Sequence, residues 1–403
     1  MTAPDRAALM HTYAEPPVTF ASGEGSWLVD TDGRRYLDFL SGLAVTSLGH
    51  AHPVVADAIA DQARTLSHVS NLFGNTVGPE VACTIDRLIG GGADGPGGQV
   101  FFGNSGAEAN ECALKLARRW AGPGRFAVVS TWDAFHGRTL ATLSATGQPA
   151  KQEPFLPLPD GFDHVPYDDL AAMEAACDPA RVAAVLVEPI MGEAGVVVPS
   201  SDYLTGLRQL CTDRGILLMV DEVQTGLGRT GRWFGFQHLG IEPDVVTLAK
   251  ALGNGMPVGA CWARPEVAAA FVPGDHGSTF GGQPLAMSAV RATLAVMEAE
   301  HVPARAIAAG ARLRAGLAAL PGVVGVRGEG LLLAAELQGA FAVPAVADAL
   351  AAGLVVNAPR PDVLRFAPSL LVSGEEIDHA LAVLGGVLGA LVGPPATDAG
   401  GRT

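Results

Sequence analysis

Lysine is nearly absent from this sequence: three lysines stand against 23 arginines among 403 residues. Basic residues are also outnumbered overall, since the formal net charge is −15 and the sequence pI is about 5.0. Nucleic-acid-binding domains carry clustered positive charge. This charge balance therefore argues against a nucleic-acid partner and favours an enzyme that acts on small molecules.

Cysteine is scarce as well, and its spacing fits neither a disulfide framework nor a zinc site. The five cysteines are scattered without a C-x-x-C pair: Cys83, Cys112, Cys177, Cys211 and Cys261. This pattern predicts a reducing, cytoplasmic location. The histidines are also poorly spaced for a metal cage, so no metal site is expected.

Long apolar runs and two nucleotide-binding motifs are missing. The longest apolar stretch, residues 380–393, contains four glycines and predicts a C-terminal packing helix, because it is too short to span a membrane. No G-x-x-x-x-G-K-[ST] motif occurs, which excludes a P-loop hydrolase on this signal. No G-x-G-x-x-G opens a helix after an early strand, so a nicotinamide dehydrogenase is unsupported.

Short apolar strands alternate with helices from about residue 98. Strands are predicted at 99–102, 126–129, 183–187, 216–220 and 244–250, with helices over 106–120 and 201–213. Because these strands are almost continuously apolar, they indicate a mostly parallel sheet covered on both faces. Later elements are helices over 283–300 and 303–319, strands at 323–328 and 331–337, a helix at 343–352, strands at 354–357 and 363–367, and a helix from 374.

These elements predict an α/β protein with two domains. A large, mostly parallel α/β domain is expected over residues 51–300, and a smaller α+β domain over 301–393. Residues 1–50 contain a predicted hairpin at 26–40 and are expected to join the small domain. Residues 394–403 are predicted to be a flexible tail.

Two predicted strands end on opposite charges. The run 216–220 leads into Asp221, and the run from Asp244 ends on Lys250. Ligands of parallel α/β sheets bind beyond the carboxyl ends of the strands, so both side chains are expected at one site. A lysine amine can lose its proton and condense with an aldehyde, which a guanidinium cannot do. The pair suggests pyridoxal phosphate, whose ring nitrogen needs an anion and whose aldehyde needs an amine.

The other two lysines, Lys115 in a predicted helix and Lys151 in a predicted loop, are given no role.

The segment from Ser105 to Glu108 follows a predicted strand and opens a predicted helix. Its amides could bind phosphate, although the same Ser-x-x-Glu pattern is a capping box. The two interpretations are compatible.

Several further residues have both a functional and an ordinary interpretation. Phe135 could stack on a planar ring or belong to the core, and Arg138 could pair with a substrate carboxylate or lie at the surface. Arg365 interrupts an apolar strand and needs an anion if it is buried. Glu188 and Glu193 are its candidate partners.

In combination, these motifs resemble the class III (ω-type) pyridoxal-phosphate aminotransferase family from about Tyr13 to Pro368. The matching segments are Leu48–Pro53, Asn104–Asn110, Phe135–Arg138, Glu188–Glu193, Asp221–Gly226, Leu248–Lys250 and Ser278–Gly282. The resemblance implies fold type I and a homodimer with active sites shared at the subunit interface. Departures from the usual family pattern include Met191 in place of glutamine and Asn254 in place of glycine.

The resemblance also implies roles for individual residues. The implied cofactor-binding set is Gly106, Ala107, Phe135, Asp221, Glu222, Val223, Gln224, Lys250 and Thr279. Lys250 would bind the cofactor aldehyde and then move a proton, while Asp221 would bind the ring nitrogen. Gln224 would bind the phenolic oxygen. Thr279 would reach the phosphate from the neighbouring subunit.

For substrates, the resemblance implies that Arg138 binds the α-carboxylate, with Ser278 contributed by the partner. Glu193 would pair with Arg365 and release it when glutamate binds. The closest resemblance is to bacterial members that use acetylornithine, which implies transfer of the ω-amine of N2-acetyl-L-ornithine to 2-oxoglutarate. Succinylornithine, ornithine or 4-aminobutyrate as donor, an aminomutase of the same fold, and a non-catalytic binding protein are the alternatives.

Overall fold

The computed structural model describes residues 8–91 and 95–392. The predicted tail, residues 394–403, lies outside this range. Within it, every helix is too short or too polar to cross a membrane. The five cysteines are unpaired, and four of them are buried.

The described residues form strands and helices in the following order. The strands are β1 (Phe20–Glu24), β2 (Trp27–Asp30), β3 (Arg35–Asp38), β4 (Gln99–Gly103), β5 (Ala127–Thr131), β6 (Phe162–Val165), β7 (Val182–Val187), β8 (Leu217–Asp221), β9 (Val245–Leu248), β10 (Gly259–Ala263), β11 (Val323–Glu329), β12 (Leu332–Leu337), β13 (Leu354–Val355), β14 (Asn357–Arg360) and β15 (Val363–Phe366). The helices are α1 (Ser41–Ala44), α2 (Pro53–Thr65), α3 (Val77–Gly90), α4 (Gly106–Ala121), α5 (Leu140–Ala145), α6 (Pro149–Gln152), α7 (Leu170–Ala176), α8 (Tyr203–Arg214), α9 (Pro265–Ala268), α10 (Pro284–Ala299), α11 (Val302–Ala318), α12 (Ala342–Ala351) and α13 (Gly374–Val392). Short 3-10 turns occupy Glu153–Phe155, Gly235–His238 and Lys250–Gly253.

A seven-stranded sheet in the order β4-β10-β9-β8-β7-β5-β6 forms the centre of the molecule. Its neighbouring strands pair in parallel, except that β10 runs antiparallel to both β4 and β9. All six residues of β7 and all five of β8 are buried, as expected for strands covered by helices on both faces. The predicted α/β class with a mostly parallel sheet is confirmed.

Two smaller sheets flank the central one. The predicted N-terminal hairpin is confirmed, since β2 and β3 pair antiparallel. This hairpin joins a late part of the chain, because Leu37 in β3 pairs in parallel with Leu354 in β13. The second small sheet has the order β11-β12-β15-β14. The domain boundaries at residues 50 and 300 stay a prediction.

The strand register brings three chain segments to one edge of the central sheet. Asp221, the last residue of β8, lies opposite Thr247 of β9. Lys250 follows two residues after the end of β9, and α4 begins at Gly106 directly after β4. Because β10 alone is reversed between β4 and β9, the carboxyl ends of β4, β8 and β9 share this edge.

Candidate active site

A cavity of about 380 Å³ lies at this edge of the sheet, within the usual range of small-molecule sites. Nine of the residues predicted for the site line it: Gly106, Ala107, Phe135, Arg138, Glu193, Asp221, Val223, Gln224 and Lys250. The other four predicted residues, Glu222, Ser278, Thr279 and Arg365, lie outside the cavity lining.

Lys250 lines the cavity from an unusual backbone conformation. It opens a 3-10 turn with φ at 43°, in the left-handed region that a lysine rarely adopts. Strain of this kind clusters at functional sites because the surrounding structure must hold it in place. Burial lowers the pKa of Lys250 despite the opposing charge of Glu193. A larger fraction of the amine is therefore neutral and nucleophilic than in an exposed lysine.

Asp221 presents a carboxylate that is only 4% exposed and already bound by three donors. Its Oδ2 accepts from His136 Nδ1 and Asn110 Nδ2, each at 2.8 Å, and its Oδ1 accepts from Val223 N at 3.0 Å. The other ring nitrogen, His136 Nε2, lies 3.1 Å from Ser130 Oγ, so both nitrogens of the ring are held by hydrogen bonds. These contacts fix the orientation of the carboxylate at the end of β8.

His136 and Asn110 are site residues that the sequence did not reveal. Asn110 Nδ2 also donates to the carbonyl of His136 at 2.8 Å, and its Oδ1 accepts from Thr247 Oγ1 at 2.7 Å. Asn110 therefore connects α4, β9 and the segment before Arg138 behind Asp221. One signal was present, since Asn110 lies one turn after Gly106 on the same face of α4.

The N-terminus of α4 is both capped and open to an anion. Ser105 Oγ accepts from Glu108 N at 3.2 Å, and Glu108 Oε2 accepts from Asn104 N at 2.7 Å. The N–H groups of Gly106 and Ala107 have no acceptor in the described part of the chain. They are unpaired donors of the first helical turn, which favours a phosphate or carboxylate.

Space at this helix start depends on glycine. A Cβ atom on Gly106 would lie 3.0 Å from Val223 Cγ1 and 3.1 Å from Val223 Cγ2. Contacts this close would force the valine to move. The start of α4 can therefore lie this close to Val223 because position 106 is a glycine.

Gln224 and Glu222 face different environments although they belong to the same turn after β8. Gln224 lines the cavity, and its buried Oε1 has no partner within the described residues. Glu222 instead accepts from Thr225 Oγ1 at 2.5 Å and from Phe236 N at 2.9 Å, and burial raises its pKa to about 7. The Glu222 side chain thus supports the turn from outside the cavity lining, and its predicted contact with the cofactor stays a prediction.

Phe135 and Arg138 line another wall of the cavity. The Phe135 ring is half-buried, and Arg138 Cζ lies 5.6 Å from its centroid. Arg138 is exposed and forms no salt bridge within the described residues, so its guanidinium is available to an anionic ligand.

Glu188 is a second buried carboxyl group in this wall. Its Oε1 accepts from Phe135 N at 3.0 Å and its Oε2 from Gly192 N at 3.2 Å. Burial raises the pKa of Glu188 to about 7, although the charge of His136 opposes the shift. Near neutral pH this group can therefore hold or release a proton beside the cavity.

Glu193 and Arg365 form the ion pair that the resemblance suggested. Arg365 Nη1 lies 2.6 Å from Glu193 Oε1, and Asn357 Oδ1 accepts from Arg365 Nη2 at 2.8 Å. Burial favours the neutral form of Glu193, but the charge and hydrogen bond of Arg365, together with the charges of Lys250 and Lys151, outweigh it and lower the pKa of Glu193. The guanidinium, only 2% exposed, lies behind the glutamate and outside the cavity lining.

Ser278 and Thr279 lie apart from the cavity of their own chain. Ser278 Oγ accepts from Asn104 Nδ2 at 3.2 Å and from Gly281 N at 3.0 Å. Thr279 is exposed. Their predicted contribution to the site of a neighbouring subunit stays a prediction.

Comparison with known proteins identifies the family. Residues 9–388 match the family described as aminotransferase class-III. The chain belongs to this family. It is 51% identical to an acetylornithine aminotransferase of Gloeobacter violaceus over 392 residues, which cover 95% of this chain and 96% of the relative. It is 49% identical to an acetylornithine aminotransferase of Mycobacterium tuberculosis, over 97% of this chain and 96% of the relative.

Solved structures of aminotransferases share the fold of this class III aminotransferase. The ornithine aminotransferase of Toxoplasma gondii aligns with a TM-score of 0.90 at 36% identity, covering 96% of this chain and 94% of that one. The acetylornithine aminotransferase of Elizabethkingia anophelis aligns with a TM-score of 0.82 at 32% identity, covering 94% of this chain and 96% of that one. The predicted fold type I is confirmed.

Family membership identifies pyridoxal phosphate as the cofactor of this aminotransferase, as the sequence predicted, and the residues present fit it. Gly106 and Ala107 offer free amides to the phosphate, and the orphaned amide of Gln224 offers a partner to a ring substituent. The oriented carboxylate of Asp221 suits a protonated ring nitrogen. Lys250 supplies an amine whose pKa is lowered by burial.

Two departures from the usual family pattern have structural explanations. Asn254 has φ at 46°, a left-handed conformation that asparagine tolerates better than most residues. Its Oδ1 accepts from Leu48 N at 2.8 Å, and its Nδ2 donates to the carbonyl of Gly49 at 3.2 Å. Met191 is buried, with its sulfur 3.9 Å from Thr131 Oγ1. Neither residue lines the cavity.

Proposed function

We propose that this aminotransferase transfers the ω-amine of N2-acetyl-L-ornithine to 2-oxoglutarate, giving N-acetyl-L-glutamate 5-semialdehyde and L-glutamate, as in arginine biosynthesis. The observation that carries the proposal is the placement of Lys250, Arg138 and the Glu193–Arg365 pair around one cavity. Relatives named acetylornithine aminotransferase, 51% and 45% identical over 95% of this chain, support the choice of donor.

Different residues of the cavity serve cofactor binding and proton transfer. Pyridoxal phosphate, when bound, supplies an aldehyde that accepts the amine and a ring that takes up electrons. Asp221 would hold a proton on the ring nitrogen, because its carboxylate is fixed by His136 and Asn110. Lys250 Nζ would hold the cofactor by its aldehyde and would carry a proton to and from the substrate carbon.

The same cavity must accept two substrates of different charge. While the donor is bound, Arg138 binds its carboxylate and Glu193 keeps Arg365 neutralised. Glutamate and 2-oxoglutarate bring a second carboxylate. We expect Glu193 to swing aside so that Arg365 binds that carboxylate, since an arginine fork pairs well with a carboxylate. This exchange of partners lets one cavity serve both half-reactions.

The proposal includes a homodimer located in the cytoplasm. Exposed apolar side chains support a subunit interface close to Ser278 and Thr279: Leu72 is 87%, Phe73 72% and Phe280 66% exposed. The two segments that carry them are in contact, because Asn71 Nδ2 donates to the carbonyl of Ser278 at 2.8 Å. Large exposed apolar groups of this kind mark protein interfaces. The scattered unpaired cysteines suit a reducing compartment.

A panel of donors tests the proposed function. The purified protein with pyridoxal phosphate and 2-oxoglutarate is assayed for glutamate with N2-acetylornithine, N2-succinylornithine, ornithine and 4-aminobutyrate. Among the four donors we expect the highest kcat/KM with N2-acetylornithine. The variant Lys250→Ala should form no glutamate from any of them. A higher kcat/KM with another of the four donors would show that this donor, and not N2-acetylornithine, is the preferred substrate. Conversion of a semialdehyde amine without 2-oxoglutarate would instead indicate the aminomutase, and absence of any turnover would indicate a binding protein.

A further inference from the structure

Lys151, one of the three lysines of the chain, lies beside the cavity. It belongs to the short helix α6 and is half-buried. Its Nζ lies 5.6 Å from the centroid of the Phe135 ring, and Arg138 Cζ lies at the same distance of 5.6 Å from that ring. Two cations therefore flank the aromatic side chain that lines the cavity wall, an arrangement that an aromatic ring stabilises.

The charge of Lys151 is not neutralised by a neighbouring carboxylate. Lys151 forms no salt bridge within residues 8–91 and 95–392, and its Nζ donates to the neutral amide oxygen of Gln148. The two nearby acids have other partners, since Asp133 lies 3.4 Å from Arg360 and Glu193 lies 2.6 Å from Arg365.

Gln148 ties Lys151 to the wall of the cavity. Gln148 Nε2 donates to the carbonyls of Asp133 and Ala134, at 3.2 Å and 3.1 Å. These residues directly precede Phe135. Gln148 therefore fixes the position of the Lys151 ammonium relative to the segment that ends at Arg138. Burial lowers the pKa of Lys151, and the positive charge of Arg138 acts in the same direction, while the charges of Glu193 and Asp133 oppose the shift without cancelling it. The two cations therefore repel each other until an anion binds between or beside them.

We propose that Lys151 is a specificity residue that, together with Arg138, selects donors whose α-carbon carries a carboxylate but no free ammonium group. This inference rests on the proposed function and extends it to the choice between acylated and free diamino acids. An N2-acyl donor brings a net negative charge to this wall, whereas ornithine adds a third cation there. A lysine suits such a role, because its ammonium acts as a compact point charge and leaves the bidentate contact to Arg138.

Charge-removing and charge-keeping variants test this role. The holoenzymes of wild type, Lys151→Gln, Lys151→Arg and Lys115→Gln are compared for kcat and KM with N2-acetylornithine and with ornithine. Lys115 is the matched control, since its Nζ binds the carbonyl of Asp275 at 2.7 Å on the exposed face of α4. In Lys151→Gln we expect the ratio of kcat/KM for the two donors to fall about threefold to tenfold, mainly through KM. Lys151→Arg and Lys115→Gln should keep the wild-type ratio.

A binding measurement separates failure of this inference from failure of the proposed function. N2-acetyl-L-norvaline and L-norvaline lack the ω-amine, and the pyridoxamine phosphate form of the holoenzyme has no aldehyde that could react with the α-amine of L-norvaline. Calorimetry with that form therefore gives the Kd of both ligands even if N2-acetylornithine is not a substrate. Lys151→Gln should weaken N2-acetyl-L-norvaline about threefold or more and leave L-norvaline unchanged or tighter. If the preference between the two ligands is the same in wild type and in folded Lys151→Gln, Lys151 has no part in specificity. If Lys151→Gln does not fold, the wild-type preference must decline with rising ionic strength, and a salt-independent preference overturns the proposal.

Discussion

The carboxylate of Asp221 depends on partners that are distant in the sequence. Asn110 and His136 each hold Oδ2 at 2.8 Å, and Thr247 in turn orients Asn110. The carboxylate that we propose as the partner of the ring nitrogen is therefore held in one orientation. Its position is a property of four chain segments rather than of the strand end alone.

Asp221→Asn tests what the charge of this group contributes. The neutral amide keeps the size and most hydrogen bonds of the carboxylate, but it cannot stabilise a protonated ring nitrogen. We expect the cofactor to remain bound while kcat falls by at least about a hundredfold. Bound cofactor is measured by absorbance and kcat by glutamate formation. If the kcat of Asp221→Asn were close to that of the wild type, the charge of Asp221 would have no part in the mechanism.

Glu222 should make stability depend on pH. Burial raises its pKa to about 7 in the folded protein, against about 4.3 in an unfolded chain. Between these two values the folded state keeps a proton that the unfolded state releases, so the free energy of unfolding falls as pH rises. The loss amounts to about 3 kcal/mol across that window, and is complete above the folded pKa.

Glu222→Gln should abolish this contribution. Urea unfolding at several pH values should show that the wild-type curve declines relative to the variant as pH rises from about 4.3 to about 7. Glu242→Gln is the control, since the Glu242 side chain is 84% exposed. Parallel curves for wild type and Glu222→Gln would show that Glu222 ionises normally.

At the level of single elements, the start of α4 combines a helix cap with two free amides that suit a phosphate. Ser105 and Glu108 satisfy neighbouring donors, while the amides of Gly106 and Ala107 remain free. Capping stabilises the helix without covering the donors, so the cap leaves room for the predicted phosphate contact, which stays a prediction.

Gly106→Ala should weaken cofactor binding, because the new Cβ would lie 3.0 Å from Val223 Cγ1. We expect the Kd for pyridoxal phosphate, measured by equilibrium dialysis, to rise about tenfold. Val223→Ala removes the obstructing methyl groups. The double variant should therefore bind pyridoxal phosphate more tightly than the sum of the two single-variant changes in binding free energy predicts. Strictly additive effects would contradict a steric cause.

The elements also show what the sequence could predict. Long periodic helices such as α10 and α11, and fully apolar strands such as β7, were predicted within a few residues, because periodicity alone defines them. The strand β10 was missed, since Gly259–Ala263 is short and lies among glycines and prolines. Its antiparallel direction is set by tertiary pairing with β4 and β9.

The site was predictable where chemistry marks a strand end, as at Asp221 and Lys250. It was not predictable where a contact joins distant segments through neutral or common side chains. Asn110 and Asp221 are 111 residues apart, and no local pattern connects them. Lys151 was given no role because a loop lysine is usually solvated, and only the fold brings it to the Phe135 ring.

At the scale of the whole molecule, Arg229 joins segments that are far apart in the sequence. Its guanidinium donates to the carbonyls of Leu331 and Pro368, at 3.2 Å and 2.6 Å, and to Ser47 Oγ at 3.0 Å. The residue is 1% exposed, and burial lowers its pKa to about 9. It forms no salt bridge within the described residues, so these backbone contacts must hold the charge.

Arg229→Met should therefore destabilise the fold although it removes no ion pair. Buried carbonyls lose their donors, and we expect the free energy of unfolding to fall by about 3 kcal/mol in urea titrations. Arg312→Met is the control, because its salt bridge with Asp378 is exposed, with side chains at 53% and 56%. For Arg312→Met we expect the free energy of unfolding to fall by less than about 1 kcal/mol. Equal losses in both variants would contradict a structural role for the buried charge.

The most direct test of the account as a whole is product release from the holoenzyme with N2-acetyl-L-ornithine, first without and then with 2-oxoglutarate. We expect a single equivalent of semialdehyde per active site without the acceptor, because the cofactor can take up only one amine. Addition of 2-oxoglutarate should start continuous release, with one glutamate for each semialdehyde. No semialdehyde, or continuous turnover without 2-oxoglutarate, would contradict transamination between these two substrates.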